Sequence, residues 1–320
     1  MQVGVFIALF QDRSFAEALD ELVSAGIHAV EIPTGGYVGN AHARPEMLLQ
    51  DEAARKELVA QLQQRNITID ALSCHGNALH PQQQIAQEHH EAFQNTVRLA
   101  ELLGVDTVIT FSGCPGDGPD ARYPNWVTCP WPPDFRAILE WQWNERVLPY
   151  WREQAAFAES HGVRVAIEPH PGFVVYNAET LLRLRTECGP AIGANFDPSH
   201  FFWQSIDPIV AARELRGAIY HVHAKDTRID KLNTDRNGVL DTKPYSDVPE
   251  RSWVFRTVGY GHDALFWKDL ISALRLAGYD RVLSIEHEDS QMSKVEGLRK
   301  AAAFLQECII SEPPPVAWWT

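Results

Sequence analysis

Four side chains able to bind a metal ion lie at the ends of short β-branched runs in the second half of the chain: Glu168, Asp197, His223 and Glu286. Such runs predict strands, and neighbouring strands lie about 4.8 Å apart, so inward side chains at four adjacent strand ends converge. Carboxylates gathered at one point repel one another unless a cation lies among them. One strand-end acid could equally be a helix cap or part of a solvated turn, but four in series favour a metal site.

Three carboxylates and one imidazole form an oxygen-rich ligand set, which suits an octahedral ion better than a closed tetrahedral zinc site. The prediction is therefore Mn²⁺ or Mg²⁺, with Co²⁺, Fe²⁺ or Zn²⁺ as alternatives. Six-coordination would leave two positions for water or for a chelating substrate. His221 lies two residues before His223, so both side chains point to the same side of the strand. We choose His223 as the ligand because it is nearer the C-terminal end, and we interpret His221 as a histidine of the layer below, in the core.

Three further histidines follow predicted strand ends on the same face of the sheet. His170 lies two residues beyond Glu168 between two prolines that restrict its backbone, so we expect a fixed imidazole that serves as an acid/base or a hydroxyl partner. We expect His200 to contact substrate or to orient a carboxylate, and His75 to bind substrate. A purely structural role is the alternative for each.

The elements that must position these side chains alternate between strand and helix along almost the whole chain. The predicted strands span 2–9, 27–32, 66–73, 105–111, 163–168, 191–197, 217–223 and 281–287. The predicted helices span 14–25, 51–65, 84–103, 136–161, 178–188, 206–215, 264–277 and 294–308. Eight such repeats predict an α/β fold, a single-domain (β/α)8 TIM barrel over residues 1–310 followed by a C-terminal tail over 311–320. An open doubly wound sheet is the alternative, but no Gly-rich dinucleotide fingerprint follows the first strand.

Two connections are too long to be simple turns. Residues 112–134 follow strand four and residues 224–262 follow strand seven, and both begin on the C-terminal face, where barrels build their sites. We expect these tryptophan-containing loops to form one wall of the site. We also assign Lys225 and Arg256 to substrate binding.

The composition of the chain disfavours several other functions. It has 28 Lys+Arg against 42 Asp+Glu, a formal net charge of −14, which disfavours nucleic acid and anionic membrane as partners. No apolar run approaches the ~18 residues of a membrane span, and no signal-peptide pattern is expected. The five cysteines are scattered without disulfide-framework or zinc spacing, which indicates a cytoplasmic protein. The sequence is compatible with either a monomer or a homo-oligomer.

The order of these motifs resembles that of the xylose isomerase-like TIM-barrel superfamily, often called the sugar phosphate isomerases/epimerases. The similarity covers residues 1–308 and rests on Glu168, Asp197-Pro198-Ser199-His200, His221-Val222-His223-Ala224-Lys225-Asp226, Gly259-Tyr260-Gly261 and Ile285-Glu286. It implies a divalent metal on Glu168, Asp197, His223 and Glu286, and a small-molecule sugar substrate. In the ketose 3-epimerases of this group, the residues matching Glu168 and Glu286 move protons on opposite faces of the substrate, and the one matching His200 helps to bind it.

The chain departs from those epimerases in its long insert after strand seven and in His170. Both features resemble members that act on larger sugar derivatives, including C-glycoside deglycosidases. The superfamily also includes apurinic endonucleases, whose basic binding face does not fit a net charge of −14.

We therefore predict a metal-dependent isomerase or epimerase of a sugar hydroxyketone, in which the metal stabilises an enediolate. Glu168 or His170 would remove the proton and Glu286 would serve the other face. The alternative is a lyase that expels a β-leaving group from the same enediolate, and a non-catalytic barrel is the least favoured interpretation. Because three acids lie within Glu286-His287-Glu288-Asp289, we expect a neutral sugar or sugar derivative rather than a phosphorylated one.

Overall fold

Eight parallel strands close into a barrel in the computed structural model of the chain, which describes residues 1–313 and 319. The strands are β1 (Gln2–Phe6), β2 (Ala29–Pro33), β3 (Thr68–Ser73), β4 (Thr107–Thr110), β5 (Arg164–Ile167), β6 (Ile192–Phe196), β7 (Ile219–Ala224) and β10 (Val282–Ile285). Each pairs with the next around the barrel, and β10 closes it against β1, with Ile285 opposite Val5. The predicted TIM barrel is confirmed, with several strands shorter than expected.

Helices cover the outside of the barrel and also lie within its longer connections. They are α1 (Phe15–Ser24), α2 (Pro45–Leu48), α3 (Glu52–Gln64), α4 (Gln83–Leu103), α5 (Pro133–Trp141), α6 (Leu148–Ser160), α7 (Ala178–Cys188), α8 (Ser199–Trp203), α9 (Pro208–Glu214), α10 (Lys231–Asn237), α11 (Ala264–Leu276) and α12 (Lys294–Cys308). Local sequence explains their ends. Ser14 begins α1 with a reciprocal capping pair to Glu17, and α4 ends at Gly104, whose φ of 69° suits glycine. A π-helical stretch, Gln142–Val147, joins α5 to α6.

Part of the barrel interior is polar, whereas most of the hydrophobic core lies between the strands and the helices. Outward side chains of the strands pack against the helices in one large hydrophobic cluster. Inside the barrel, in contrast, buried side chains include Glu31, Asn195, His221, His223 and Ser284. Buried polar groups are retained where they are hydrogen-bonded or have a function. These five side chains therefore indicate a functional site at the C-terminal end of the strands.

The insert after β7 is more ordered than a loop, which corrects the prediction for residues 224–262. It contains an antiparallel ribbon of β8 (Asp226–Ile229) and β9 (Trp253–Arg256), with α10 between them. The buried Asp226 carboxylate closes the insert by accepting hydrogen bonds from the N–H groups of Gly259, Gly261 and His262, each at 3.0 Å. Sequence periodicity could not detect this ribbon, because each strand has only four residues.

The predicted C-terminal tail over 311–320 falls mostly on residues 314–318 and 320, which lie outside the described residues. Among the helices of residues 1–313, none combines the length and the apolar character needed to span a bilayer.

Candidate metal centre and active site

The four predicted metal ligands meet at the C-terminal end of the barrel. One ligand atom from each of Glu168, Asp197, His223 and Glu286 lies within 4.8 Å of every other. Glu168, Asp197 and Glu286 directly follow β5, β6 and β10, and His223 is the penultimate residue of β7. These are neighbouring strands in the closed sheet, so the barrel itself brings the four side chains together.

The spacing of these atoms fits a shared ion. His223 Nδ1 lies 2.9 Å from Glu286 Oε2, a buried oxygen that has no aligned hydrogen-bond donor within the described residues although the Lys225 ammonium lies 3.2 Å away. Neighbouring ligands of an octahedral ion, each at roughly 2.1 Å from it, lie about 3 Å apart. Three carboxylates and one imidazole could therefore share a divalent cation at this point, with small shifts of the side chains.

Glu31 on β2 fixes the orientation of His223. The His223 Nε2 atom lies 2.9 Å from Glu31 Oε2, and Ser284 Oγ donates to the same oxygen at 3.0 Å. On the other side of the ring, Asn195 Nδ2 lies 3.2 Å from His223 Nδ1. Burial disfavours a charged ring, but Glu31 and Glu286, at its two nitrogens, raise the pKa of His223 well above its usual value. A cation bound by the cluster would take the place of the proton on Nδ1, which faces Glu286, while Nε2 keeps its proton toward Glu31.

Glu31 remains ionised in this arrangement. Burial disfavours its charge, but the adjacent His223 and His221 rings outweigh burial and lower the pKa of Glu31 to about 2. Sequence analysis missed this residue. An acid in the otherwise apolar run Ala29–Pro33 was the available signal, since an ionised group on a buried strand needs a partner.

Glu168 lies at the centre of a ring of polar groups. Its Oε2 accepts hydrogen bonds from His75 Nε2 at 3.0 Å and from Asn195 Nδ2 at 2.7 Å, while His200 Nε2 lies 3.4 Å from its Oε1. Burial disfavours its charge, but His200 and His75 hold the pKa of Glu168 well below its usual range. His75 and His200, which were predicted to contact substrate, thus both lie next to the proposed metal ligand Glu168. Asn195 also contacts Glu168, and the sequence did not predict this.

Asp197 is held by the first turn of α8. Its carboxylate accepts from Ser199 N at 2.8 Å and from Ser199 Oγ at 2.9 Å. His200 Nε2 lies 3.2 Å from Asp197 Oδ2, and this carboxylate outweighs burial and raises the pKa of His200 to about 9. The Asp-Pro-Ser-His sequence therefore positions one proposed ligand and one imidazole through a single turn.

His170 is held in one tautomer beside the cluster. Its Nδ1 lies 2.6 Å from the carbonyl oxygen of Pro171, so Nδ1 carries the proton and Nε2 keeps a lone pair. Its ring lies 4.0 Å from that of His200 and 4.9 Å from that of Phe111, centroid to centroid. Burial, together with the neighbouring His200, lowers the pKa of His170 well below its usual range. A neutral imidazole whose Nε2 keeps a lone pair can accept a proton.

Lys225 lies in the site, but its charge is already shared with acids. Its Nζ atom lies 2.5 Å from Glu288 Oε2 and 3.2 Å from Glu286 Oε2, and 4.1 Å from the centre of the Phe255 ring. Burial disfavours the ammonium, but Glu286 and Glu288 raise the pKa of Lys225 well above its usual value. This lysine therefore partly neutralises the carboxylates of Glu286 and Glu288.

Arg256 lies at the base of the ribbon in an ion pair of its own. Its Nε donates to Asp289 Oδ2 at 3.0 Å, and the same oxygen accepts from Thr257 N at 2.8 Å. This pairing accounts for the charge of Arg256 and joins β9 to the segment after β10. Its assignment to substrate binding stays a prediction.

Of the two long connections, the insert approaches the cluster through an aromatic side chain. The Phe255 ring lies 5.5 Å from the ring of His200, and Trp253 stacks on Trp203 behind it at 4.7 Å. The tryptophans of the other connection pack elsewhere: Trp126 lies edge-on against Tyr176, and Trp131 is 72% exposed. The aromatic side chain that the insert places next to the cluster is therefore Phe255 and not a tryptophan. Trp253 packs behind Phe255, whereas Trp126 and Trp131 lie away from it.

The sequence of the chain is similar to a known protein family and to a bacterial protein. The model of the xylose isomerase-like TIM barrel family matches residues 19–308. The chain is 42% identical over 298 residues to the uncharacterized protein YfiH of Bacillus subtilis, covering 92% of this chain and 95% of that protein.

Two solved structures illustrate the similarity in fold. The probable 3-DHS dehydratase AsbF of Bacillus anthracis superposes with a TM-score of 0.67 at 17% identity, covering 96% of this chain and 99% of that one. A D-tagatose 3-epimerase-like protein superposes with a TM-score of 0.65 at 18% identity, covering 96% of each chain. At these identities the similarity concerns the fold.

Proposed function

The chain belongs to the xylose isomerase-like TIM-barrel family, and we propose that it is a divalent-metal-dependent isomerase or epimerase of a neutral sugar or sugar derivative. The observation that carries this proposal is the convergence of Glu168, Asp197, His223 and Glu286 within 4.8 Å, next to the neutral imidazole of His170. Mn²⁺ and Mg²⁺ suit the oxygen-rich ligand set best.

The proposed mechanism begins with removal of a proton from a carbon next to a carbonyl group. A bound divalent ion would supply Lewis-acid stabilisation of the enediolate that results. His170 Nε2 is the stronger candidate for the base, because Glu168 Oε2 already accepts two hydrogen bonds and its Oε1 faces His200. Glu286, across the cluster and beside Lys225, would handle the proton on the opposite face.

Elimination is the second candidate reaction. It would begin with the same proton abstraction and would need a donor for the leaving group. The rings of His170 and His200 lie 4.0 Å apart, so a base and an acid could act side by side. This pairing is the observation that favours a lyase.

Incubation of the metal-loaded protein with ketoses and 3-oxo-sugars in heavy water tests the shared first step. We expect deuterium at the carbon next to the carbonyl, detected by NMR or mass spectrometry, and no incorporation after the metal has been removed. Turnover of a substrate without any exchange at carbon would contradict the enediolate mechanism. The product then separates the two candidates, since elimination releases a fragment and epimerisation conserves mass.

A neutral substrate is expected because the two cations predicted to bind substrate are already paired. Lys225 contacts Glu286 and Glu288, and Arg256 contacts Asp289, so neither of these side chains is left unpaired for a phosphate dianion. We expect a free sugar to be turned over at least about tenfold more efficiently than its phosphate ester, since one such repulsion of about 1.4 kcal/mol has that effect. Matched values of kcat/KM check this. Faster turnover of the phosphorylated partner would contradict it.

Glu31→Gln should weaken metal binding without removing a ligand. A neutral amide no longer stabilises the Nε2 proton of His223 as a carboxylate does, and changes of this kind cost about 10- to 100-fold in metal affinity. Competition of the purified protein with a fluorescent chelator measures the Kd for Mn²⁺. Glu307→Gln, at an exposed position on α12, is the matched control. Equal affinities for wild type and Glu31→Gln would show that Glu31 does not act through His223.

A further inference from the structure

A line of buried polar side chains crosses the barrel interior and ends at Glu168. Asp70 on β3, His221 on β7 and Asn195 on β6 are each less than a tenth exposed. The strands β3 and β7 lie opposite one another in the closed sheet, so the contact between Asp70 and His221 spans the interior. Barrel interiors are usually filled by layers of branched apolar side chains, so three polar groups in line require an explanation.

The Asn195 amide connects this line to Glu168. Its Nδ2 donates to Glu168 Oε2 at 2.7 Å, and its Oδ1 lies 2.9 Å from His221 Nδ1. An ionised carboxylate only accepts hydrogen bonds, so the amide nitrogen faces Glu168 and the amide oxygen faces His221. The His221 Nδ1 atom therefore carries a proton and donates a hydrogen bond to Asn195. This donor on β7 determines which end of the amide meets the proposed ligand.

Asp70 holds the far side of the His221 ring. Its Oδ2 lies 3.3 Å from His221 Nε2, and within the described residues neither atom has a hydrogen-bond partner elsewhere. Glu31 Oε2 lies 3.7 Å from the same nitrogen. The other oxygen of Asp70 accepts from Arg281 at 3.3 Å, and Arg281 also pairs with Asp106 at the N-terminal end of the barrel. A turn of the His221 ring would move both nitrogens away from their partners.

Loss of the His221 donor would free the Asn195 amide to flip. The flipped amide would bring its oxygen against the Glu168 carboxylate, where two acceptors repel each other. Glu168 Oε2 would then keep the hydrogen bond from His75 but lose the one from Asn195. Buried polar groups cost free energy that an apolar layer would not, so the effect of this line on Glu168 is the better explanation for its presence.

We propose that Asp70 and His221 are positioning residues for Glu168. Acting through the Asn195 amide, they fix the direction in which the Glu168 carboxylate faces the proposed metal centre. Neither side chain is among the four proposed ligands, so both act on the ion only through other residues. The inference rests on the proposed function, since it takes Glu168 to be a metal ligand.

Competition between the purified protein and a fluorescent chelator for Mn²⁺ tests the inference. His221→Leu removes the donor and should raise the Kd for Mn²⁺ by about 10- to 100-fold, as other losses of support behind a ligand do. His221→Asn should stay within about threefold of the wild type. An asparagine nitrogen is as many bonds from the backbone as Nδ1 and can donate in its place. Both variants lose the contact with Asp70, so a merely structural role would affect them equally.

Asp70 and Asn195 provide two further comparisons. Asp70→Ala should raise the Kd by about threefold or more. Asp106→Ala removes another carboxylate partner of Arg281 and should leave the Kd unchanged, and equal values for these two variants would overturn the role of Asp70. In an Asn195→Ala background, His221→Leu should change the Kd by less than about twofold, because the route is already broken. An undiminished effect there would overturn the route through Asn195.

Equal Kd values for the wild type and His221→Leu, or equal losses in His221→Leu and His221→Asn, would overturn the inference. Crystals grown without metal give a readout that does not depend on the ion. In His221→Leu we expect the Glu168 carboxylate to leave its contact with Asn195, and in His221→Asn to keep it. A Glu168 carboxylate in the wild-type position in His221→Leu would overturn the inference. A wild type that binds no Mn²⁺ removes the metal centre of the proposed function, and the metal-free crystals then decide the positioning role alone.

Discussion

Replacing Asp197 by alanine should lower the affinity of the protein for Mn²⁺ by more than about a hundredfold, and the other three proposed ligands should not compensate. Changes that only reorient a ligand already cost up to about that factor, and this one removes a ligand at a buried, closed part of the cluster. Equilibrium dialysis with metal analysis measures the effect, with one ion per wild-type chain as the reference.

Two further variants make this result interpretable. Asp197→Asn keeps the shape of the side chain and an oxygen for Ser199, so it distinguishes loss of a ligand from loss of the fold. Asp269→Ala, at an exposed position on α11, controls for the removal of an aspartate elsewhere. The wild type should also gain thermal stability from Mn²⁺, by about 2.7 kcal/mol at a hundred times the Kd, and both Asp197 variants should gain much less. Equal metal content in wild type and Asp197→Asn would contradict the assignment.

Replacing His170 by glutamine should reduce kcat by about 10²- to 10⁴-fold while leaving metal content unchanged. The glutamine amide fills similar space but has no basic nitrogen, so deuterium exchange at carbon should fall by the same factor as turnover. KM should change much less than kcat, because the loss concerns proton transfer rather than binding.

The control for this variant is His28→Gln, which removes an exposed histidine remote from the cluster and should leave kcat unchanged. If His170→Gln retained kcat within about threefold of the wild type, Glu168 would be the better candidate for the base. Glu286→Gln provides a complementary result, since its loss of turnover should exceed its loss of substrate binding.

The ligand cluster could be predicted from the sequence because it depends on local information. Each proposed ligand ends a run that is recognisable as a strand, and the C-terminal ends of parallel strands in a closed barrel share one face. The same reasoning located His75, His170 and His200, which the structure brings to Glu168 or to one another.

Contacts across the barrel interior could not be predicted in this way. Glu31 meets His223 only because β2 and β7 face each other across the closed sheet, and the register that sets this meeting is a property of the whole barrel. Asn195 joins Glu168 to His221 because β6 lies between β5 and β7, and the register that sets Asn195 opposite His221 includes an irregularity that sequence periodicity does not reveal. The pairing of Lys225 with Glu288 depends on the path of the segment after β10, which periodicity does not define.

Anomalous diffraction from crystals grown with Mn²⁺ tests the metal centre most directly. We expect one peak per chain, within roughly 2.0–2.4 Å of oxygen atoms from Glu168, Asp197 and Glu286 and of His223 Nδ1. His223 Nε2 should also keep its contact with Glu31 when the ion is bound. A peak elsewhere on the chain, or a fully occupied Mn²⁺ that contacts His223 through Nε2, would contradict the assignment.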